Sequence, residues 1–190
     1  NFFKFSFIRN PYSRIASVYA VVMSFRKDLR IFLVIYKDTS FKKFLQLIKK
    51  NMHTHWLPMN DFFDDKDLNF IGRFENYDGD LEKLKKLTNI ELMKKNFSGD
   101  LNFSEKFNYL DLYKNNECID LVNELYQKDL DKFNYNFDNF VEYERKKRSS
   151  IPISSNLDIS QKEKTFWRFI KKYIKKKFYL FSSNIRYKDY

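Results

Sequence analysis

Hydrophobic and polar positions alternate at the start of the chain. Phe3, Phe5 and Phe7 interleave with Lys4 and Ser6, and Ile8 follows, a period of two that predicts a short strand buried on at least one face. The period changes at Arg9. Asn10 can cap a helix by accepting a backbone N–H, and Pro11 suits the first helical position because its missing N–H has no partner there. Ile15, Val18, Tyr19 and Val22 then recur at helical spacing. This junction sets an arginine at the carboxyl end of a strand, beside a helix N-terminus whose free N–H groups and dipole favour an anion. In α/β sheets that is where ligands bind.

Farther along, Arg26 to Arg30 breaks the helical pattern, and the apolar run Ile31–Tyr36 reads as a strand or a buried helical turn. Asp38, Thr39 and Ser40 offer caps for an amphipathic helix carrying Phe41, Phe44, Leu45 and Ile48, which ends near Asn51. His53-Thr-His-Trp-Leu-Pro-Met59 is a loop by its proline and its loss of period. Residues 67–75 form a second strand, which runs into a capped helix with acids in its first turn and Leu81, Leu84 and Leu87 along one side. Strand–helix, long crossover, strand–helix implies parallel pairing in a layered α/β sheet. Residues 97–111 are an irregular polar and aromatic loop, followed by a helix from about Asn115 through Ile119, Val122, Leu125 and Tyr126.

Composition narrows the chemistry. The 190 residues suit one domain with a tail, and Gly72, Gly79 and Gly99 lie too far apart for a glycine-rich dinucleotide or Walker-type loop. Net charge is +11, yet residues 1–144 hold 22 Lys/Arg and 22 Asp/Glu, so the excess lies in residues 145–190. That distribution removes a basic-patch case for nucleic acid over the whole domain. Cys118 is the only cysteine, which excludes an intrachain disulfide and fits a reducing compartment. No apolar run approaches a membrane span; Ile31–Tyr36 is far too short. His53 and His55 are two imidazoles at i, i+2, but Asp61, Asp64 and Asp65 complete no recognised metal spacing, so no metal is expected. The chain starts at Asn1, inside the strand and without a methionine, which reads as a fragment missing an N-terminal part.

Arg9-Asn-Pro-Tyr12, with Arg14 and Ser17 following, resembles the 3′-phosphate-binding segment of the sulfotransferases, and the carbohydrate type (sulfotransferase family 2) most of all. Three further segments match that family in order. His55-Trp-Leu-Pro58 resembles its His-Trp-x-Pro loop. Asp67, Ile71, Gly72, Glu75, Asp80 and Leu81 fill its Asp-x-x-x-Ile-Gly-x-x-Glu segment and the Asp-Leu beyond it. Tyr126 to Tyr135 is similar to its Tyr-x-x-Asp-Phe-x-x-Phe-Gly-Tyr signature, with Leu130 for Phe and Asn134 for Gly, a mild change because Asn tolerates the left-handed conformation.

The resemblance implies an α/β fold: a layered parallel sheet of the P-loop-NTPase-like sulfotransferase type with flanking helices, N-terminally truncated, and a helix-rich C-terminal part. Residues 1–144 are then the sulfotransferase domain. Residues 145–190 are a basic linker and an amphipathic helical tail on Trp167, Ile170, Ile174, Phe178 and Phe181, which either meets an anionic membrane or acidic partner or packs its stripe on the domain. The implied activity is transfer of a sulfuryl group from PAPS (3′-phosphoadenosine 5′-phosphosulfate), used as co-substrate without a metal, to a hydroxyl of a carbohydrate or glycan acceptor.

By position, Arg9 and Ser17 hold the 3′-phosphate, and Arg14 adds to that pocket or faces solvent. Ser104 and Tyr109, with Asn102, belong to a loop near the nucleotide. The non-functional alternative for Arg9 and Ser17 is a surface arginine at a strand end and a helical serine in solvent. His55 is the candidate general base, since neutral imidazole accepts a hydroxyl proton near neutral pH; substrate contact and loop structure are its other readings. Glu75 is either a site residue or a group satisfying backbone donors at the turn. The family's 5′-phosphosulfate loop precedes the Arg-Asn-Pro motif, so the fragment alone is expected to be inactive. In the resembling family, animal members are Golgi enzymes with paired cysteines after the His-Trp motif; Met59–Phe63 has none, so the resemblance implies a bacterial-type cytoplasmic enzyme, with membrane association through 145–190 as one alternative and the Golgi lumen, for a eukaryotic protein, as another. The alternatives are another nucleotide-dependent transferase or kinase, and a non-catalytic binder of anionic surfaces acting through the basic tail.

Overall fold

The computed structural model describes residues 2–24, 26–89 and 108–149, all of which fall in one compact unit. Strand β1, Phe5–Ile8, pairs in parallel with β2, Phe70–Arg73, in a register running from Phe5↔Phe70 to Ile8↔Arg73. The parallel pairing expected from the strand–helix order is therefore present, in a two-stranded sheet. Between the strands lie α1 (Pro11–Ser24), α2 (Lys27–Leu33) and α3 (Phe41–Lys50). After β2, a 3-10 turn leads into α4 (Tyr77–Thr88). A further 3-10 segment, Tyr109–Tyr113, precedes α5 (Asn116–Phe133) and α6 (Phe137–Ser149). No helix among the described residues is long and apolar enough to cross a membrane.

The core sits between the helices. Phe41, Phe44, Leu45 and Ile48 of α3 are all buried, as their spacing predicts, and α3 packs on α5. On α1 the buried stripe is Tyr12, Ile15, Ala16, Ala20, Val22 and Met23, while Val18 and Tyr19 are half-buried at its margin. An aromatic cluster ties the C-terminal helices to α1. The Tyr12 ring lies 5.5 Å from Tyr113 and 5.1 Å from Phe137, and the Tyr113 hydroxyl donates to the Tyr12 carbonyl at 2.7 Å.

Three expectations change. The opening phenylalanines are not all buried: Ile8 is, but Phe3, ahead of β1, and Phe5 are 41% and 49% exposed, on a sheet that has two strands among the described residues. Phe7 lies over β2, so close to Gly72 that a Cβ there would stand 2.4 Å from its ring. Lys27 to Leu33, where the pattern breaks and an apolar run follows, is helical; Leu29 and Leu33 reach the core, and buried Arg30 donates to the carbonyls of Val22 (2.6 Å) and Met23 (3.1 Å), capping α1. Helix α4 starts at Tyr77 with Asp78 and Asp80 in its first turn, as expected, but its N-cap residue Asn76 makes no side-chain capping bond.

Helix α5 ends as its sequence suggests. Asn134 adopts φ 52°, ψ 51°, and the Tyr135 N–H reaches back to the Leu130 carbonyl at 2.9 Å, a left-handed termination that glycine or asparagine supports. Helix α2 ends the same way on Val34 (φ 55°), where a β-branched side chain is strained. Ser40 caps α3 and Asn115 caps α5 through their side-chain oxygens. The basic run Arg145-Lys-Lys-Arg148 belongs to α6. The amphipathic segment around Trp167–Phe181 lies outside the described residues.

Candidate functional site

Strand β1 delivers Arg9 to the first turn of α1. Asn10 makes this junction rigid and is buried with every polar group engaged. Its Oδ1 accepts the Tyr12 N–H (3.1 Å), its Nδ2 donates to the Asn136 carbonyl (3.1 Å), and its own N–H donates to Glu75 Oε1 (2.8 Å). The second Glu75 oxygen accepts the Tyr135 hydroxyl at 2.8 Å. Of the two readings of Glu75, these contacts fit the structural one: the carboxylate satisfies a backbone donor and joins the turn after β2, the Arg-Asn-Pro turn and the end of α5. Arg73 reinforces the joint, donating to the Phe133 carbonyl at 2.7 Å with its guanidinium 4.7 Å over the Tyr135 ring.

Fixed this way, Arg9 is half-buried. Its Nε donates to Ser13 Oγ at 2.6 Å, and its guanidinium carbon lies 4.6 Å over the Phe74 ring. Among the described residues neither Nη group has a partner, and Arg9 forms no ion pair. Arg14, one turn along α1, is also half-buried and, among the described residues, without a side-chain hydrogen bond or ion pair; it stacks 6.0 Å from the Tyr126 ring. Burial lowers the Arg14 pKa and the Arg9 charge adds to that, opposed by Tyr126 and Asp129. The two guanidinium groups feel one another beside a helix N-terminus and, among the described residues, form no ion pair; Asp129 acts on Arg14 and buried Glu144 on Arg9 without direct contact, which leaves guanidinium N–H groups able to donate to an anion.

Ser17 is half-buried and lies farther along α1, one turn beyond Ser13, whose Oγ accepts from Arg9 Nε. Ser13, fully buried, was missed in the sequence; its i+4 spacing from Arg9 was the available signal. Tyr109 is buried in the core, whereas Asn102 and Ser104 lie outside the described residues.

The His-Trp loop is held by α5. Asp129 accepts the N–H groups of Met59 (2.7 Å) and Asn60 (2.8 Å), and the Tyr126 hydroxyl donates to the Trp56 carbonyl (2.7 Å). Thus the tyrosine and aspartate of the closing signature act as a clamp on residues 56–60. Burial raises the Asp129 carboxyl above the usual range, against the pull of those N–H groups and of Arg14. Buried Trp56 anchors the loop, with its indole N–H on the Asn51 carbonyl at 2.9 Å.

His55 itself is exposed. Its Nε2 lies 2.9 Å from Arg26 Nη1 and its Nδ1 lies 2.9 Å from His53 Nδ1. Partial desolvation lowers its pKa and the Arg26 and His53 neighbours lower it further, against the pull of Asp28; the balance favours the neutral imidazole. A neutral histidine on a fixed loop is chemically able to accept a proton. No group of three or more His, Cys, Asp or Glu placed to hold a metal occurs among the described residues.

Residues 1–136 match the family model described as Sulfotransferase family. No curated protein and no solved structure matches the chain. The matched span runs from β1 through the Tyr135 closure and so contains the arginine pair, the His-Trp loop and the joint that ties them together: the chain belongs to the sulfotransferase family.

Proposed function

We propose that this sulfotransferase transfers the sulfuryl group of PAPS to a hydroxyl of a carbohydrate acceptor. The observation that carries the reading is the pair of half-buried guanidinium groups, Arg9 and Arg14, with no carboxylate in ion pair among the described residues. A phosphate dianion suits them, since guanidinium N–H groups bind phosphate oxygens bidentately. The residues present therefore fit the 3′-phosphate end of PAPS, with Ser17 farther along the same helix as a further hydroxyl donor.

PAPS supplies the sulfuryl group: a bond forms from the acceptor oxygen to sulfur as the bond from sulfur to the 5′-phosphate oxygen breaks, and that oxygen keeps the electron pair. The chain's own task is positioning and proton removal, the terms that dominate such transfers. Arg9 anchors without taking part in bond making. His55 takes the hydroxyl proton on Nε2 and returns it to water.

Calorimetric titration with 3′-phosphoadenosine 5′-phosphate tests the reading. Arg9→Ala is expected to weaken binding at least tenfold, and adenosine 5′-phosphate, which lacks the 3′-phosphate, is expected to bind far more weakly than the bisphosphate. Equal binding of both nucleotides, or unchanged affinity in Arg9→Ala, would sink it.

A further inference from the structure

The geometry points to Arg26 as the positioning residue of His55: it fixes the imidazole tautomer and holds the one basic nitrogen in reserve. The inference rests on the reading of His55 as proton acceptor.

The donors decide the tautomers. Arginine only donates, so the 2.9 Å contact from Arg26 Nη1 makes His55 Nε2 the acceptor, with its lone pair aimed at the guanidinium. The His55 proton therefore resides on Nδ1 and is directed at His53 Nδ1, 2.9 Å away. His53 Nδ1 also lies 3.2 Å from the His55 backbone N–H, which can only donate, so that nitrogen too is unprotonated. Arg26, His55 and His53 thus form a directional chain with both imidazoles neutral.

Two other contacts make the chain rigid. Asp28 grips Arg26 from the side, with Nε–Oδ1 at 2.9 Å and Nη2–Oδ2 at 2.7 Å, which leaves Nη1 aimed at the histidine. Beneath, the His53 ring lies 4.9 Å from buried Trp56 and 5.4 Å from Phe32. The groups facing His55 are therefore Arg26 and Asp28 at the start of α2, and His53 on its own loop. Asp28 alone would satisfy a surface arginine. The third contact, onto an imidazole lone pair, is the one a simple ion pair leaves unexplained.

This arrangement has chemical consequences. A proton arriving on Nε2 from solvent would bring an imidazolium against a guanidinium, so the reserved lone pair stays free of protons into mildly acidic solution. A hydroxyl bound at Nε2 displaces only the Nη1 bond, while the two Asp28 bonds keep Arg26 in place. Once Nε2 has taken the hydroxyl proton, the nearby guanidinium favours its release, which returns the base.

Long-range proton–nitrogen correlation spectra of the full chain test the proposal directly. At pH 8, His55 is expected to show a protonated Nδ1 and a bare Nε2. Arg26→Met removes donor and charge: the tautomer should shift toward Nε2–H and the His55 titration should move to higher pH. Arg26→Lys, which keeps both, should retain much of the wild-type titration. Affinity for 3′-phosphoadenosine 5′-phosphate should stay within twofold in both variants, which shows that the fold and the arginine pair persist. A wild-type His55 protonated on Nε2, or a titration unmoved by Arg26→Met, overturns the proposal. A glycan acceptor that, with 3′-phosphoadenosine 5′-phosphate bound, leaves the His55 Nε2 resonance unmoved overturns the base reading, and with it the catalytic part of the assignment, even if the other spectra agree. Failed nucleotide binding in the wild-type chain counts separately, against the arginine-pair reading.

Discussion

Replacing Asp129 tests whether the closing signature is a clamp. Its carboxylate is fully buried and accepts the N–H groups of Met59 and Asn60 at 2.7 and 2.8 Å. Asp129→Ala leaves both donors without a partner. The Met59 N–H is buried, and orphaning such a group costs about 1–3 kcal/mol; the Asn60 N–H is part-buried, so water recovers some of its loss, leaving about 1 kcal/mol. Against this stands the burial of the charge, visible in the raised Asp129 pKa, which the substitution relieves. The net expectation is a loss of about 2 kcal/mol, or about 4–8 °C in Tm for a domain of this size.

Asp129→Asn keeps one acceptor oxygen and removes the buried charge, so it should cost less, about 1–2 kcal/mol. Urea unfolding followed by tryptophan fluorescence is the assay, since Trp56 sits in the clamped loop. Sign and pH follow from linkage. Burial raises the folded pKa, so the folded chain binds more protons than the unfolded chain between the two values, and this group's contribution falls as pH rises through that window. Asp129→Asn should abolish that component of the slope. A loss below about 0.5 kcal/mol for Asp129→Ala at unchanged m, or a larger loss for Asn than for Ala, would refute the clamp.

Three further outcomes follow from single contacts. Tyr135→Phe removes the hydroxyl held by Glu75 and is expected to lower unfolding free energy by about 1–2 kcal/mol in the same urea assay, with Glu75→Gln plus Tyr135→Phe less than additive. Gly72→Ala drives a Cβ into the Phe7 ring and should cost about 1–3 kcal/mol; if Phe7→Leu in the same chain recovers none of it, the steric account is wrong. Val34 is 85% exposed and held at φ 55°, so Val34→Gly loses no packing and relieves strain. A gain of about 0.5–1 kcal/mol is expected in thermal unfolding, and a loss would contradict it.

Local patterns were the legible part. The α3 stripe, the Asn134 termination and the parallel pairing of the two strands all follow from spacing and residue type; their register came only with the structure. The helix at Lys27–Leu33 was not legible, because Arg26, Lys27, Asp28 and Arg30 interrupt the apolar period. Arg30 is polar by composition yet buried, serving as the cap of a neighbouring helix, a role no local pattern announces. Partner choice was hidden for the same reason. Arg9 and Ser17 share a motif, but the helix geometry sets Ser13 within reach of Nε.

By itself, the sequence determined that an arginine would stand where a strand meets a helix N-terminus, and that four ordered segments would mark the family. Those are properties of short stretches, set by backbone periodicity, capping and residue identity. Only the tertiary structure decided what the segments do to each other. Glu75, more than sixty residues from Asn10 and sixty from Tyr135, joins them through its two oxygens. Asp129 and Tyr126 hold a loop seventy residues away, and Arg26, ahead of α2, orients His55 in the loop after α3. Such contacts depend on where distant backbone is brought, and hydrogen bonds require their partners within about 3 Å. That proximity is a property of the folded chain.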